Sequence, residues 1–541
     1  MTSRPGKVAI FEQFAADGIE YMFGNPGTVE QGFLDAGGEF DIDYLLSLHE
    51  GAAVGMADGY ARAAQRPALV QLHSGVGLGN GIGMLYQAKR GGSPLVVVVG
   101  EAGVKYDAMD GQMAADLVAM AEPVTKFATR VIDPSSVLRV LRRAVKIAMT
   151  PPRGPVVVVL PADVLDELTA EPAVRTSIPA TRVLPEPSLV AEAATTLLAG
   201  PRRLVLMGDG VATSGAQREL TAVAEALGAE VWGVNSSEFN FDATHRLYGG
   251  QLGHMFGADS ARVVGGADSV LIVGTYVFPE VFPSLDSPFK PDARIVHVDL
   301  DSYEIAKNFP VDVGIVADPK LTLAALGKEI NRQRPGLAPS TPIETSRARP
   351  VHPEPALEDD TVLDRFVRRL AGRAPEDLVV FDEALTASAP LAKYLPPQQP
   401  GRFFQTRGGS LGVGIPGALG VKLAAPELPV VAFTGDGGSM YTIQALWTAA
   451  RYDIGAKFVI CNNRRYHLLD LNLEQYWREL GIGPRPLPAA FDLSTPDIGF
   501  TGIAAALGVP GRRVEKLYEV DTAVEAMLSH DGPYLIDLVI D

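Results

Sequence analysis

The sequence predicts an α/β protein with three doubly wound domains, each built on a parallel sheet. Three observations support this prediction. The chain has 541 residues, which is room for about three domains. Short β-branched runs alternate with longer helical patterns, and these runs are apolar along their whole length. Continuous apolar runs are typical of parallel strands buried on both faces, and the helices between them imply right-handed crossovers.

The apolar runs fall into three blocks that are separated by two proline-rich linkers. The linkers span roughly 161–188 and 332–358, so we expect domains at 1–165, 190–331 and 359–541. In chain order, strands are predicted at 68–72, 95–99 and 156–160 in the first block, at 204–207, 269–273 and 294–298 in the second, and at 378–381, 430–433, 457–461 and 534–540 in the third.

Composition and charge exclude several classes of function. The chain has 47 Lys and Arg against 64 Asp and Glu, and this formal net charge of −17 argues against nucleic acid as a partner. The single cysteine, Cys461, excludes a disulfide framework and a Cys-based zinc site. We find no pattern of a signal peptide and no apolar run long enough to span a membrane, so we expect a cytoplasmic protein with no membrane partner.

A glycine-rich turn with a carboxylate lies in the third block. Gly435-Asp436-Gly437 follows the strand predicted at 430–433, and Asn462-Asn463 follows the strand predicted at 457–461. Because the carboxyl ends of parallel strands share one edge of a sheet, we expect the two segments to meet there. The glycines let the backbone approach a diphosphate, and carboxylate, amide and carbonyl oxygens suit Mg²⁺ or Ca²⁺. Alone, Gly-Asp-Gly would indicate only a strand-to-helix turn.

With Leu419-Gly420 and Pro426 upstream, this pattern resembles the cofactor-binding motif of the thiamine-diphosphate-dependent decarboxylase and acetolactate-synthase-like superfamily. In the first block, Leu48-His49-Glu50-Gly51-Ala52-Ala53 looks like the superfamily's segment that carries an activating glutamate. Four further segments narrow the resemblance to the benzoylformate decarboxylases, from about residue 7 to residue 541: Phe23-Gly24-Asn25-Pro26-Gly27-Thr28, Leu72-His73-Ser74-Gly75, Gly408-Gly409-Ser410-Leu411-Gly412 and Ala445-Leu446-Trp447-Thr448-Ala449-Ala450-Arg451-Tyr452.

The resemblance implies a pyrimidine-binding, a central and a diphosphate-binding domain, with thiamine diphosphate and Mg²⁺ or Ca²⁺ as cofactors. It implies a homodimer or homotetramer with active sites at subunit interfaces. The implied activity is that of a carboxy-lyase, which decarboxylates a 2-oxo acid without oxidation to an aldehyde through an enamine. A carboligase of acetolactate-synthase type, a hydrolase of the same fold and a non-catalytic scaffold stay open as alternatives. The sequence does not identify the 2-oxo acid.

The resemblance also implies roles for single residues. Glu50, His73 and Thr28 are expected to be catalytic, Glu50 by hydrogen-bonding a ring nitrogen of the aminopyrimidine and His73 by transferring protons. The substrate pocket is expected to contain Thr28, His73, His467 and Leu469. The predicted cofactor contacts are Glu50, Gly409 through its carbonyl, Leu411 as a wedge, Gly435, Asp436, Gly437, Gly438, Ser439, Asn463, Arg465 and Tyr466; the predicted metal ligands are Asp436, Asn463 and the carbonyl of Arg465.

A purely structural role is also possible for two of the expected catalytic residues. Thr28 is also placed to cap a helix predicted at 29–37, and His73 at a strand end is also typical of a structural histidine. The benzoylformate decarboxylases use a second histidine from the middle domain, but none lies at 276–282. His254 and His467 are the candidates to replace it.

Two further motifs depart from the expected pattern. Arg464-Arg465 stands where small residues are usual, and we expect a guanidinium to face solvent or a diphosphate oxygen, with an anionic substrate group or an exposed charge pair as alternatives. Gly208-Asp209-Gly210 follows a strand as a dinucleotide loop would, but the third glycine of that fingerprint is missing. This argues against FAD and NAD.

Overall fold

Three parallel sheets form the framework of the protein, as the sequence predicts. The computed structural model describes residues 3–336 and 360–540. These residues form two units: the first contains 3–179, 360–391 and 406–540, and the second contains 180–336 and 392–405. The first unit holds two of the sheets. The domain boundaries at 1–165, 190–331 and 359–541 stay predictions, and residues 337–358 of the second predicted linker lie outside the described residues.

The N-terminal sheet of the first unit has six parallel strands, and most of their side chains are buried. Pro161 ends one of these strands and the helix Ala162–Asp166 follows it, so the first linker begins later than predicted. Arg4–Pro5 and Leu168–Thr169 form a separate antiparallel pair. In spatial order the six strands are Asp43–Leu46, Tyr21–Gly24, Ala68–His73, Leu95–Glu101, Val156–Pro161 and Phe127–Arg130.

The C-terminal sheet of the first unit is also parallel. In spatial order its strands within this unit are Val379–Glu383, Val430–Gly435, Lys457–Asn462, Tyr534–Val539 and Gly511–Val514. The strands that are adjacent in space are separated along the chain by helices, which is the doubly wound arrangement. All four strands predicted in this block are present. The short strand Gly511–Val514 was not predicted, because its two adjacent arginines interrupt any apolar run.

The second unit contains the third parallel sheet. Its spatial order is Tyr248–Leu252, Glu230–Val234, Arg203–Met207, Ser269–Val273, Arg294–Asp299 and Val313–Val316. The Gly208-Asp209-Gly210 turn makes hydrogen bonds to other residues of the protein. The Asp209 carboxylate accepts hydrogen bonds from the amide of Ser237 at 3.0 Å and from Nδ2 of Asn240 at 2.8 Å, so it holds the neighbouring loop of the same unit.

The helices cover the faces of the sheets. Among the described residues, no helix combines the length and the apolarity needed to cross a bilayer. In chain order the helices are Gly6–Ala16, Gln31–Gly37, Glu50–Ala64, Ser74–Gly91, Leu117–Ala121, Val137–Met149, Ala162–Asp166, Pro187–Leu197, Gly210–Ser214, Gln217–Leu227, Gly257–Val264, Pro319–Gln333, Val362–Arg373, Ser388–Tyr394, Gly414–Ala424, Asp436–Ser439, Ala445–Arg451, His467–Glu479, Phe500–Ala506 and Val520–Ser529.

Two helices of the first unit cross at very short distance because glycines face each other. A Cβ at Gly59 in the helix Glu50–Ala64 would overlap the backbone of Gly417, and one at Gly420 would overlap the backbone of Met56. Only glycine lets backbones approach this closely. The crossing therefore joins the N-terminal and C-terminal sheets of the unit through helix backbones, which cannot move aside as side chains can.

We predict that Gly59→Ala destabilises the chain by more than about 3 kcal/mol, because the added methyl meets backbone atoms and the helices must separate. The matched control is Gly502→Ala in the helix Phe500–Ala506, where a Cβ has no heavy atom within 4 Å. There we expect alanine to stabilise by up to about 1 kcal/mol through helix propensity. Urea denaturation of both variants measures the difference, and equal midpoints would contradict the described crossing.

Candidate active site

The Gly-Asp-Gly turn and the asparagine pair meet at one edge of the C-terminal sheet, as their positions predict. The strands Val430–Gly435 and Lys457–Asn462 pair in parallel with Gly435 opposite Cys461. The amide of Arg465 donates to Oδ2 of Asp436 at 3.2 Å and to Oδ1 of Asn463 at 3.0 Å. Because one amide reaches both oxygens, the carboxylate of Asp436 and the amide oxygen of Asn463 lie side by side.

The carboxylate of Asp436 is buried without a cationic partner among the described residues. Burial raises the pKa of Asp436, although backbone amides that donate to it, including that of Gly437 at 2.7 Å, act in the opposite direction. In the described ranges, no three His, Cys, Asp or Glu side chains cluster as metal ligands. A divalent ion at this edge would therefore need one carboxylate together with amide and carbonyl oxygens, which hard cations accept.

The glycines on the two sides of Asp436 have different surroundings. A Cβ on Gly437 would overlap the ring of Tyr466, whereas one on Gly435 would have no heavy atom within 4 Å. The buried hydroxyl of Ser439 donates to the carbonyl of Asp436 at 2.8 Å and so closes the turn. The backbone of Gly435 is therefore accessible beside the Asp436 carboxylate, while Ser439 uses its side chain to support the turn.

The two asparagines make different contacts. Nδ2 of Asn462 donates to the buried carboxylate of Asp537 at 2.9 Å, and its Oδ1 accepts the amide of Arg464 at 3.2 Å. Asn462 therefore supports the turn that follows, and Asn463 presents its oxygen at the sheet edge.

The two arginines form ion pairs within the protein and are half-buried. Arg465 donates through Nη2 to Oδ1 of Asp470 at 2.9 Å, and Arg464 places Nε 3.5 Å from Oδ1 of Asp497. Arg465 therefore turns its charge away from Asp436 and brings only its backbone to the sheet edge.

The loop 408–412 lies on the same unit. Gly409 has a φ of +81° and is exposed, with open space where a Cβ would lie, and Leu411 is half-buried. At the end of the loop, the amides of Gly412, Val413 and Gly414 all donate to the buried carboxylate of Glu383. Burial raises the pKa of Glu383 to about 7, against the effect of these amides.

Glu50 is the first residue of the helix Glu50–Ala64 and is only 6% exposed. Its Oε1 accepts from Nδ2 of Asn25 at 3.2 Å, and its Oε2 accepts from Nδ2 of Asn80 at 3.0 Å. The N-cap is His49, whose Nδ1 accepts the amide of Gly51 at 3.0 Å. Glu50 is therefore neither a surface residue nor the N-cap of the helix. Two neutral side-chain amides orient its carboxylate.

His73 ends the strand Ala68–His73 and pairs with a buried carboxylate that the sequence analysis missed. Its Nδ1 lies 2.9 Å and 3.1 Å from the two oxygens of Glu30, which also accepts the amide of Gly27 at 3.0 Å. Burial raises the pKa of Glu30, while His73 and the amide lower it. A proton-carrying imidazole held by a buried carboxylate is a recurring arrangement for acid–base chemistry.

The predicted catalytic residues of the N-terminal sheet lie together. A Cβ on Gly77 would lie 3.1 Å from Cβ of His73 and 3.3 Å from Oε1 of Glu50, so the two side chains flank one glycine. Thr28 is exposed and follows Gly27, whose backbone packs on the ring of His73. The following helix begins at Gln31 with Glu30 as its N-cap residue, so Thr28 is not the helix cap.

The remaining predicted residues are His467, Leu469 and His254. His467 is the first residue of the helix His467–Glu479; it is exposed and its Nδ1 lies 3.6 Å from Oδ2 of Asp470. Leu469 is also exposed on this helix. His254 belongs to the second unit, where its carbonyl accepts the amide of Val281 at 3.3 Å. We call Glu50, His73 and Thr28 the Glu50 group, and Asp436, Asn463 and Arg465 the Asp436 group. Among the described residues, no hydrogen bond or ion pair joins the two groups.

The sequence carries a signal for Glu383, while Glu30 lies where a helix is predicted. Glu383 ends a strand of the C-terminal sheet, which is the criterion that identified Asp436. Glu30 lies two residues after Thr28 but was placed inside the helix predicted at 29–37. The partners Asn25 and Asn80 gave no comparable signal, because they reach Glu50 from 25 and 30 residues away.

Comparison with known proteins assigns all three parts of the chain. Residues 5–120 match the N-terminal TPP binding domain of thiamine pyrophosphate enzymes, residues 190–326 match their central domain and residues 386–538 match their C-terminal TPP binding domain.

Individual relatives extend over nearly the whole chain. Benzoylformate decarboxylase of Pseudomonas aeruginosa is 32% identical over 539 residues and covers 98% of both chains. The acetolactate synthase isozyme 3 large subunit of Escherichia coli is 30% identical over 99% of this chain and 95% of its own. The structure of the thiamine diphosphate-dependent 4-hydroxybenzoylformate decarboxylase of Rhodococcus jostii RHA1 superposes with a TM-score of 0.86 at 27% identity, covering 99% of each chain.

Proposed function

The chain belongs to the family of thiamine pyrophosphate enzymes, and we propose that it decarboxylates a 2-oxo acid without oxidation and releases an aldehyde. The observation that supports this choice is the His73–Glu30 pair beside Glu50. Release of an aldehyde requires a proton on the carbon that loses CO₂, and an imidazole next to the activating carboxylate can deliver it. The benzoylformate decarboxylase relative supports the same class of reaction.

Thiamine diphosphate with a divalent ion fits the donor groups of this chain. When bound, thiamine diphosphate supplies the carbon nucleophile for the keto carbon and accepts the electron pair that departing CO₂ leaves. We propose that Asp436, Asn463 and the carbonyl of Arg465 hold Mg²⁺ or Ca²⁺, because the first two oxygens lie side by side and Asp436 lacks a cationic partner among the described residues. The diphosphate would lie along Gly435, Gly437 and Gly438, with Tyr466 behind Gly437.

The residues of the N-terminal group supply proton transfer and orientation. Glu50 holds a proton at a ring nitrogen of the aminopyrimidine, and Asn25 and Asn80 keep its carboxylate in place without neutralising it. We assign Thr28 to the substrate carboxylate and His73 to the proton that completes the aldehyde. On the loop 408–412, the carbonyl of Gly409 is assigned to the amino group of the cofactor and Leu411 to the wedge beneath it.

We propose that two copies of the chain complete each site. The partners of Glu50 come from the N-terminal sheet domain and those of Asp436 from the C-terminal one, and no described hydrogen bond links the two groups within a chain. A homodimer would place the Glu50 group of one copy against the Asp436 group of the other, and a homotetramer would contain two such pairs. His467 and Leu469, exposed near the Asp436 group, are assigned to the substrate pocket.

A carboligase of acetolactate-synthase type is the second candidate. The acetolactate synthase relative from Escherichia coli covers almost the same length at 30% identity. In this case the same residues would serve up to the loss of CO₂, and a second carbonyl compound would take the place of the proton from His73.

Product analysis with pyruvate, a branched 2-oxo acid, an acidic 2-oxo acid and benzoylformate distinguishes the two candidates. We expect the holoenzyme to release one CO₂ and one aldehyde for each molecule of its preferred acid, as measured by NMR. Acetolactate formed from pyruvate, with one CO₂ for two acids consumed, would overturn the decarboxylase proposal in favour of the carboligase.

We predict that Glu50→Gln retains thiamine diphosphate but loses activity by about 10²–10⁴-fold, because the amide cannot exchange a proton with the cofactor. The variant keeps the size of the side chain, but its single acceptor oxygen can accept from only one of Asn25 and Asn80. The exposed Glu525→Gln is the matched control and is expected to act as the wild type does. Steady-state kinetics with saturating cofactor measures the effect; undiminished turnover in Glu50→Gln would refute the assignment.

We predict that Asp436→Ala loses metal-dependent binding of thiamine diphosphate. The loss of a direct ligand should exceed the about 10–100-fold typical of residues behind the ligands. Calorimetric titration with Mg²⁺ and with a chelator measures it, and Asp41→Ala, at an exposed carboxylate, is the control. Cofactor affinity in Asp436→Ala equal to that of the wild type in Mg²⁺ would contradict the metal site.

A further inference from the structure

Glu383 is a buried carboxylate between two segments of the proposed cofactor site. It ends the strand Val379–Glu383, directly opposite Thr434 in the neighbouring strand, and Asp436 follows two residues after Thr434. Oε2 of Glu383 accepts the hydroxyl of Thr434 at 3.2 Å and the amide of Gly414 at 2.6 Å, while Oε1 accepts the amides of Gly412 at 2.6 Å and Val413 at 3.2 Å.

These bonds replace the cap that the following helix lacks. The helix Gly414–Ala424 has no side-chain hydrogen bond from its N-cap residue Val413, so its first amides depend on acceptors from elsewhere. A Cβ on Gly414 would lie 2.7 Å from Oε2 of Glu383, which requires glycine at this position. The carboxylate therefore lies tightly against the backbone at the point where the loop becomes a helix.

The loop is fixed at both of its ends. The carbonyl of Gly412 accepts the hydroxyl of Thr442, and the amide of Gly408 donates to Oε1 of Gln87 at 2.7 Å. Gly409 and Leu411 lie between these ends, and Gly409 is exposed with open space beside it. The position of the middle of the loop is thus set by the bonds at Gly408 and Gly412.

We propose that Glu383 is a positioning residue for the cofactor: by holding the amides of Gly412, Val413 and Gly414 and the hydroxyl of Thr434, it keeps the loop that carries Gly409 and Leu411 in register with the strand that leads to Asp436. This inference rests on the proposed function, since it concerns the same cofactor. The carbonyl of Gly409 and the metal-holding carboxylate would otherwise be free to shift against each other.

The residue type follows from the number of donors. Four donors converge on Glu383, and a carboxylate offers two acceptor oxygens with room for all of them. The amide of a glutamine has one acceptor oxygen, and its NH₂ group would face an N–H of the loop. Glu383→Gln therefore keeps the volume of the side chain but loses the hydrogen bonds that one of the two carboxylate oxygens accepts.

The test compares Glu383→Gln with Asp382→Asn in the full chain. Asp382 is the preceding residue of the same strand, and its buried carboxylate accepts the amide of Ala384 at 2.9 Å and the hydroxyl of Ser388 at 2.8 Å. Both variants are expected to lower the melting temperature. Only Glu383→Gln is expected to weaken binding of thiamine diphosphate with Mg²⁺, by about 10–100-fold in calorimetric Kd, and to lower kcat at saturating cofactor with little change in the KM of the substrate.

The outcomes separate this inference from the proposed function. A wild-type chain that binds no thiamine diphosphate would defeat both. Wild-type affinity and kcat in Glu383→Gln, with only the melting temperature lowered, would overturn the positioning role alone. Glu383→Asp, which keeps both oxygens on a shorter stem, is the second variant; if neither variant folds, the carboxylate serves folding and the proposal is also overturned.

Discussion

The proposed chemistry depends on the parallel pairing of Val430–Gly435 with Lys457–Asn462. This register brings the residues that follow the two strands to one sheet edge, where the amide of Arg465 contacts both Asp436 and Asn463. A carboxylate is costly to bury without a cation, and burial raises the pKa of Asp436. A divalent ion at this edge would supply the missing positive charge, and the strand pairing makes the same two oxygens available to it without rearrangement.

A second constraint fixes the helix that begins with Glu50 against the helix that follows the loop 408–412. The helix Glu50–Ala64 begins with Glu50, and the helix Gly414–Ala424 begins just after the loop 408–412. The two helices cross backbone to backbone at Gly59 and Gly420, where no side chain can yield. These backbone contacts restrict the movement of the two helices relative to each other, which explains why glycine is required within both of them.

The sequence predicted the α/β class, the central strands and the meeting of Asp436 with Asn463, because apolar runs and strand-end positions follow from local chain chemistry. Glu383 stood at a strand end that a local criterion marks, but the sequence did not identify the partners of Glu30 and Glu383, since their bonds to His73 and to Gly412 join residues 43 and 29 positions apart along the chain. The ion pair of Arg465 with Asp470 was also missed. Such choices among nearby acceptors are decided by tertiary packing, which one sequence read locally does not contain.

The central claim is that Glu50 of one copy and Asp436 of another serve the same cofactor. It is tested most directly by co-expressing two inactive chains, Glu50→Gln and Asp436→Ala, with different tags and purifying the mixed assembly. Each mixed dimer would contain one intact site, so we predict activity of about half the wild-type value per dimer. Activity no higher than that of the separate variants, in an assembly shown to contain both chains, would contradict a shared site.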